Sequence, residues 1–175
     1  MSTSTNWTII QQAATACAQE LFAHYGVDLT PLDGEVSTAD PCIAVIGYAG
    51  DDMRGALAIS ASQATIRASN VISANPTPAQ DRDWTGELSN QLLGRVQNRL
   101  LQHGAHIRMG TPLVLTGTSF QIHSPKQAPN MRVAFDSKHG PIEVWFDAEF
   151  EPGFELTEAP EEEEAAEEEG AMLWF

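Results

Sequence analysis

The sequence predicts an α+β fold: a mostly antiparallel sheet with helices packed on one face, including one long helix. Three observations predict it. The periodicities run helix, hairpin, two helices, then a series of strands. No helix-plus-strand unit repeats, as a parallel sheet would require. Two pairs of strand-like runs are each joined by compact turn residues, which marks antiparallel pairing.

The elements follow in order. Over residues 6–25, Trp7, Ile10, Ala14, Cys17, Leu21 and Tyr25 recur at three- and four-residue spacing, and Gly26 stands where a C-terminal cap would. Residues 27–41 contain Pro31, Gly34 and Pro41 and read as loop or short edge structure. The apolar runs 42–49 and 53–60 flank the turn residues Gly50-Asp51-Asp52 and form a hairpin. Residues 62–73 suggest a short helix after a serine cap, broken by Asn75-Pro76-Thr77-Pro78. Residues 79–103 carry the clearest helical pattern, and Gly104 suits its end. Strand candidates follow at 112–118, 119–123, 131–137 and 141–149, with Ser137-Lys138-His139-Gly140 as a second hairpin turn. In the last strand Glu143, Trp145, Asp147 and Glu149 alternate with Ile142, Val144, Phe146, Ala148 and Phe150, so one buried face is expected.

The charge is uneven. The chain has 175 residues and a formal net charge of -15, of which residues 151–175 supply -10 through ten Glu and no basic residue. A folded domain is therefore expected over 1–150, followed at 151–175 by an acidic low-complexity tail that cannot bury enough apolar surface to order itself. The acidity excludes ordinary nucleic-acid binding, which needs basic patches, and docking to an anionic membrane surface. No apolar run approaches the roughly 18 residues of a membrane span. Cys17 and Cys42 have no metal-ligand or redox spacing, and the N-terminus has no secretion-signal pattern, so a reduced, cytoplasmic setting is expected.

The long helix sorts into two faces at about 100° per residue. Trp84, Leu88, Leu92, Leu93, Val96 and Leu100 share one broad arc, with Arg95 and Arg99 at its edge. The opposite arc holds Asp83, Glu87, Asn90, Gln91, Gly94, Gln97 and Asn98, and Leu101 is its one apolar misfit. Asp83, Glu87, Asn90 and Gly94 step along a single line. A glycine inside a helix costs roughly 1 kcal/mol relative to alanine, so Gly94 suits a place where another group approaches closely. A plain solvated face with an incidental glycine is the alternative.

The segment Asp83-Trp84-Thr85-Gly86-Glu87-Leu88-Ser89-Asn90-Gln91-Leu92-Leu93-Gly94 resembles the signature of the CheC/CheX/FliY family, closest to CheX: Gly-Glu-Leu-x-Asn-x-x-x-Gly on a long helix. Thr111-Pro112-Leu113-Val114-Leu115-Thr116-Gly117 resembles its strand entry, and Ile46–Gly50 with Arg54–Ser60 its hairpin. The similarity spans residues 7–150. It implies a phosphatase that hydrolyses the aspartyl phosphate of a response-regulator receiver domain (CheY-like). Glu87 would pair with a receiver lysine, and Asn90 would position the attacking water. Asp83, Gln91 and Gly94 would be flanking partner contacts. Mg2+ would be held by the receiver, with no metal or other cofactor bound by this chain. A homodimer with joined sheets fits the resemblance; a monomer is the alternative. Only one Glu-x-x-Asn copy is present, as in CheX, and Arg95 stands where the family often has Asn. That departure and the tail leave a second class open, a non-catalytic adaptor that binds a receiver or another signalling protein.

Other chemistry finds little support. His24, His103, His106, His123 and His139 are scattered without completing a metal set, and Ser119 and Ser124 lack a nucleophile-elbow setting. Trp7 and Trp145 read as core. The final Gly170-Ala171-Met172-Leu173-Trp174-Phe175 follows the Glu run and resembles a tethered docking peptide, with Trp174 and Phe175 as anchors for a partner; folding back on the protein's own surface is the alternative.

Overall fold

The first helix, α1 (Ser2–His24), buries Ile10, Ala14, Cys17 and Leu21 completely, with Trp7 and Tyr25 half-buried at the ends of the stripe. Each fully buried large aliphatic contributes roughly 1.5–3 kcal/mol. The helix ends as Gly26 predicts. Gly26 takes φ 75°, its N–H donates to Ala23 O at 2.9 Å, and Val27 N–H donates to Phe22 O at 2.9 Å. These paired bonds satisfy the last carbonyls and bring the buried Phe22 and Val27 together.

The computed structural model describes residues 2–34, 36, 41–118, 120, 122–123 and 129–157. After α1 come β1 (Thr30–Leu32), β2 (Pro41–Gly50), β3 (Met53–Ser62), α2 (Gln63–Ser69), α3 (Pro78–Gln102), β4 (Ile107–Met109), β5 (Leu113–Thr116), β6 (Asn130–Asp136) and β7 (Ile142–Phe150). The strands form one seven-stranded sheet in the order β1-β6-β7-β3-β2, all antiparallel, and β2's outer edge is shared by β4 and β5. β4 pairs with residues 48–50 and β5 with residues 42–45, so 107–116 forms one edge interrupted near Gly110, whose N–H still reaches Gly47 O at 2.8 Å. The helices cover one face. There Ile46, Leu57, Ile59, Val144 and Phe146 meet Leu21, Phe22, Leu88 and Leu92 in a single core. This is the α+β arrangement the element order predicts.

Several details differ from expectation. The second helix ends at Ser69 rather than 73, because Asn70 leaves helical geometry (φ -78°, ψ 109°) and its side-chain oxygen accepts from Ile72 N at 2.9 Å. That local bond competes with another helical turn. The middle of β7 is buried on both faces: Trp145 and Asp147 are only 4% and 8% exposed, although their alternation predicts an exposed face. Asp147 tolerates this because Oδ1 accepts Ala56 N–H at 2.7 Å. Of the 119–123 strand candidate, residues 119 and 121 lie outside the described residues, while Phe120, Ile122 and His123 carry no strand. No local pattern marks β4, which is short and pairs only at the tip of β2.

Packing continues past residue 150. Glu151 N–H bonds to Asp52 O at 2.8 Å, Leu156 is buried, and Thr157 N–H donates to His103 O at 3.0 Å. Asn6 joins the same strap, donating to Phe154 O at 3.2 Å and accepting from Leu156 N at 2.8 Å. The tail expectation for Trp174 and Phe175 falls outside the described residues.

Candidate functional site

The site lies on α3, whose ends are tightly specified. Thr77 caps the N-terminus by accepting Gln80 N–H at 3.3 Å, and Gln80 Oε1 accepts Thr77 N–H at 2.9 Å. Pro78 fills the first turn, where its missing N–H is not needed. At the other end Gly104, with φ 87°, donates to Leu101 O at 3.1 Å, and Ala105 N–H donates to Leu100 O at 3.0 Å. Between these caps Trp84, Leu88, Leu92, Leu93, Val96 and Leu100 are all buried, as their arc predicts. Trp84 also donates its indole N–H to Ser69 Oγ at 3.0 Å, tying α2 to α3. Thr85, Gly86 and Ser89 are buried too. A side chain added at Gly86 would come within 3.4 Å of Val114 and 3.7 Å of Pro112, so the β4–β5 edge lies flush along that flank. The helix thus buries more than its apolar arc, and a narrow polar stripe remains.

On that stripe Asp83 and Glu87 are exposed, while Asn90, Gln91 and Gly94 are half-exposed. Glu87 Oε1 accepts from Gln91 Nε2 at 2.8 Å, and Gln91 Oε1 accepts from Tyr25 OH at 2.7 Å. Tyr25 is held edge-to-face against Trp84, ring centroids 4.9 Å apart. The end of α1 therefore orients the Glu87 carboxylate through Gln91. Gln91, expected as a flanking partner contact, is engaged at both ends inside the protein. The Asn90 amide makes no hydrogen bond among the described residues, so its donor and acceptor both remain available. Asp83 likewise has no partner there. Gly94 leaves a groove: a methyl placed on it would sit 3.9 Å from Met109 Sδ and Cε.

Tyr25 joins the candidate site although no local pattern marks it. In the sequence it is the last apolar position of the α1 pattern, and only the packing of α1 against α3 shows that its hydroxyl reaches Gln91. Arg95 lies on the α1 side of the helix, close enough to Cys17 for its charge to act on that thiol. It is therefore off the Glu87–Asn90 line. Burial nonetheless dominates at Cys17 and pushes its pKa up to about 11, with Arg99 opposing the rise. Burial also raises Cys42, whose sulfur lies 3.1 Å from Thr85 Oγ1. Neither cysteine is a nucleophile candidate.

No group of three or more metal-binding side chains occurs among the described residues. His103 Nδ1 instead lies 2.7 Å from Thr157 O. Ser119 and Ser124 lie outside the described residues. No helix among the described residues is long and apolar enough to cross a membrane.

Comparisons with known proteins fit this geometry. The fold is similar to CheX from Vibrio vulnificus, with TM-score 0.73 and 19% identity over 80% of this chain and 96% of that one. CheX from Desulfovibrio desulfuricans gives TM-score 0.70 and 20% identity over 80% and 99% of the two chains. A CheX–CheY–BeF3–Mg2+ complex from Borrelia burgdorferi gives TM-score 0.60 and 16% identity over 82% and 97%. No curated protein gives a significant match. Residues 42–136, which include the hairpin, α3 and the β4–β5 edge, match the family described as chemotaxis phosphatase CheX, and the chain belongs to that family.

Proposed function

We propose that this chain hydrolyses the aspartyl phosphate of a CheY-like receiver domain in chemotaxis or two-component signalling. The observation that carries the reading is the pair on α3: an oriented Glu87 carboxylate and, less than one turn further on, an Asn90 amide without an internal partner. The family match and the similarity to a CheX solved with CheY support it.

The chemistry asks little more of this protein. In an acyl phosphate the aspartate is already a good leaving group, so the barrier is lowered mainly by holding a water in line. Asn90 does this by donating to and accepting from that water. The water oxygen bonds to phosphorus, the bond from phosphorus to the aspartate oxygen breaks, and inorganic phosphate leaves with a free carboxylate behind. Glu87 sets the register by pairing with a receiver lysine, and Asp83 and Gly94 flank the contact. Mg2+ held by the receiver would supply the charge that neutralises the phosphoryl oxygens.

The test is the decay of a phosphorylated receiver in single turnover. Wild type should accelerate it, and Glu87→Ala and Asn90→Ala should each remove about 10–1000-fold of that acceleration, the range for a lost positioning or electrostatic group. Both positions are on the solvent face, so circular dichroism should be unchanged. A receiver that binds without faster decay would instead establish the adaptor class.

A further inference from the structure

Thr157 is fastened to the C-terminal end of α3 by both of its backbone groups. Its N–H donates to His103 O at 3.0 Å, and its carbonyl O lies 2.7 Å from His103 Nδ1. His103 also lines an open cleft of about 510 Å3 between α1 and α3. Arg99 and Gln102 complete the α3 wall, and Gln12, Ala13 and Ala16 stand on the α1 wall. The chain beyond Thr157 therefore starts at the mouth of this cleft.

The charges match. Residues 158–175 hold eight Glu, four of them in the run Glu161–Glu164, and no basic residue. No carboxylate lines the cleft. Arg99 stands one turn and Arg95 two turns back from His103, about 6 and 12 Å along α3. Both lie on the α1 side, where their charges act on Cys17. Arg99 is paired with Glu20, but a guanidinium has five N–H donors, enough for a second carboxylate. Arg95 has no ion-pair partner among the described residues. Other unpaired arginines are placed differently. Arg82 is about 30 Å from His103 along the helix. Arg108 shares its cleft with Asp51.

We propose that the α1–α3 cleft seats the chain's own acidic segment, with Glu161–Glu164 laid against Arg99 and Arg95. Reach permits it: four to seven residues past Thr157 extend up to about 13–25 Å. Tethering favours it. A segment fastened at the mouth of the cleft is present at an effective concentration on the order of millimolar, which a free acidic partner would have to exceed. Repulsion limits it. Asp83 and Glu87 are exposed further along α3 and turn away a run of carboxylates. The segment thus stops short of Asn90 and leaves the candidate site open.

The experiment places a nitroxide on the full chain at Glu163→Cys and reads the loss of backbone amide signal by NMR, against the same sample with the nitroxide reduced. Cys17 and Cys42 are buried, so the introduced thiol takes the label. Amides of Gln12, Ala16, Arg99 and Gln102 should lose most of their intensity, while those of the Ser137–Gly140 turn keep theirs. In about 1 M NaCl, where the screening length shrinks to about 3 Å, the loss should disappear. It should disappear equally with Glu158→Gln, Glu161→Gln, Glu162→Gln and Glu164→Gln combined. Faint loss spread evenly over the surface overturns the proposal, as does loss centred on Glu87 and Asn90. Loss at the cleft that survives either salt or the glutamine changes also overturns it, by assigning the contact to the apolar Met172–Phe175 end. A mixture of nitroxide-bearing chain with isotope-labelled chain that carries no nitroxide tests the donor. Loss at the cleft in that mixture would make the occupant a second copy's segment and overturn the intramolecular seat.

Discussion

Replacing Gly94 with alanine should separate stability from function. In a helix interior alanine is better than glycine by about 1 kcal/mol, because glycine gives up more backbone freedom on folding. Nothing in the structure opposes the change. Gly94 has an ordinary helical backbone, and the new methyl would meet only Met109 Sδ and Cε, at 3.9 Å, which is normal van der Waals contact. The position is half-exposed, so the expected gain is about 0.5–1 kcal/mol. At roughly 2–4 °C per kcal/mol for a domain of this size, the Tm should rise by about 1–4 °C. The methyl would fill the groove one turn from Asn90 and hold a partner off. Receiver dephosphorylation should therefore fall about tenfold or more, the scale of a small misplacement of reacting groups. Thermal unfolding and single-turnover decay on the same preparation read both effects. A destabilised variant would refute the reasoning by showing that the glycine serves the fold. A stabilised variant with full activity would show that nothing approaches the groove.

Tyr25→Phe removes one hydroxyl bonded to Gln91 and should cost about 0.5–1.5 kcal/mol in urea unfolding. Dephosphorylation should fall less than in Glu87→Ala; an equal fall would mean that Tyr25 touches the receiver directly. Cys17 provides a pH test. Its pKa is raised on folding, so the native state favours the neutral thiol, and that stabilisation is complete below the ordinary thiol value near 9 and lost as pH climbs towards about 11. Wild type should lose up to about 2–3 kcal/mol more than Cys17→Ala between pH 9 and 11 in denaturant titrations, and parallel curves would refute the burial argument.

The parts legible in the sequence are those governed by neighbours along the chain. The caps at Gly26 and Gly104, the hairpin turn at Ser137–Gly140 and the buried arc of α3 all follow from local pattern, and the structure places them as read. The polar line of α3 was legible for the same reason, because helical spacing alone aligns Asp83, Glu87, Asn90 and Gly94. What failed to show depends on distant pairing. β4 is strand only because the tip of β2 is beside it. Trp145 and Asp147 are buried despite a clean alternation. Gln91 looks like any solvent-facing amide until Tyr25, 66 residues away, arrives to bond it.

The Asn6 strap closes the polypeptide into a ring without a covalent bond. Two hydrogen bonds from one side chain join the start of α1 to Phe154 and Leu156, across sequence separations of 148 and 150. Circular permutation should therefore be tolerated: a short linker from Thr157 back to Thr5, with new ends opened in the exposed loop at Ser73–Asn75, would leave α3 and its stripe uncut. The same closure brings the start of α1 and Thr157 to the C-terminal end of α3, where Thr157 N–H bonds to His103 O. The new ends at Ser73–Asn75 would open beside Thr77, at the opposite end of the helix.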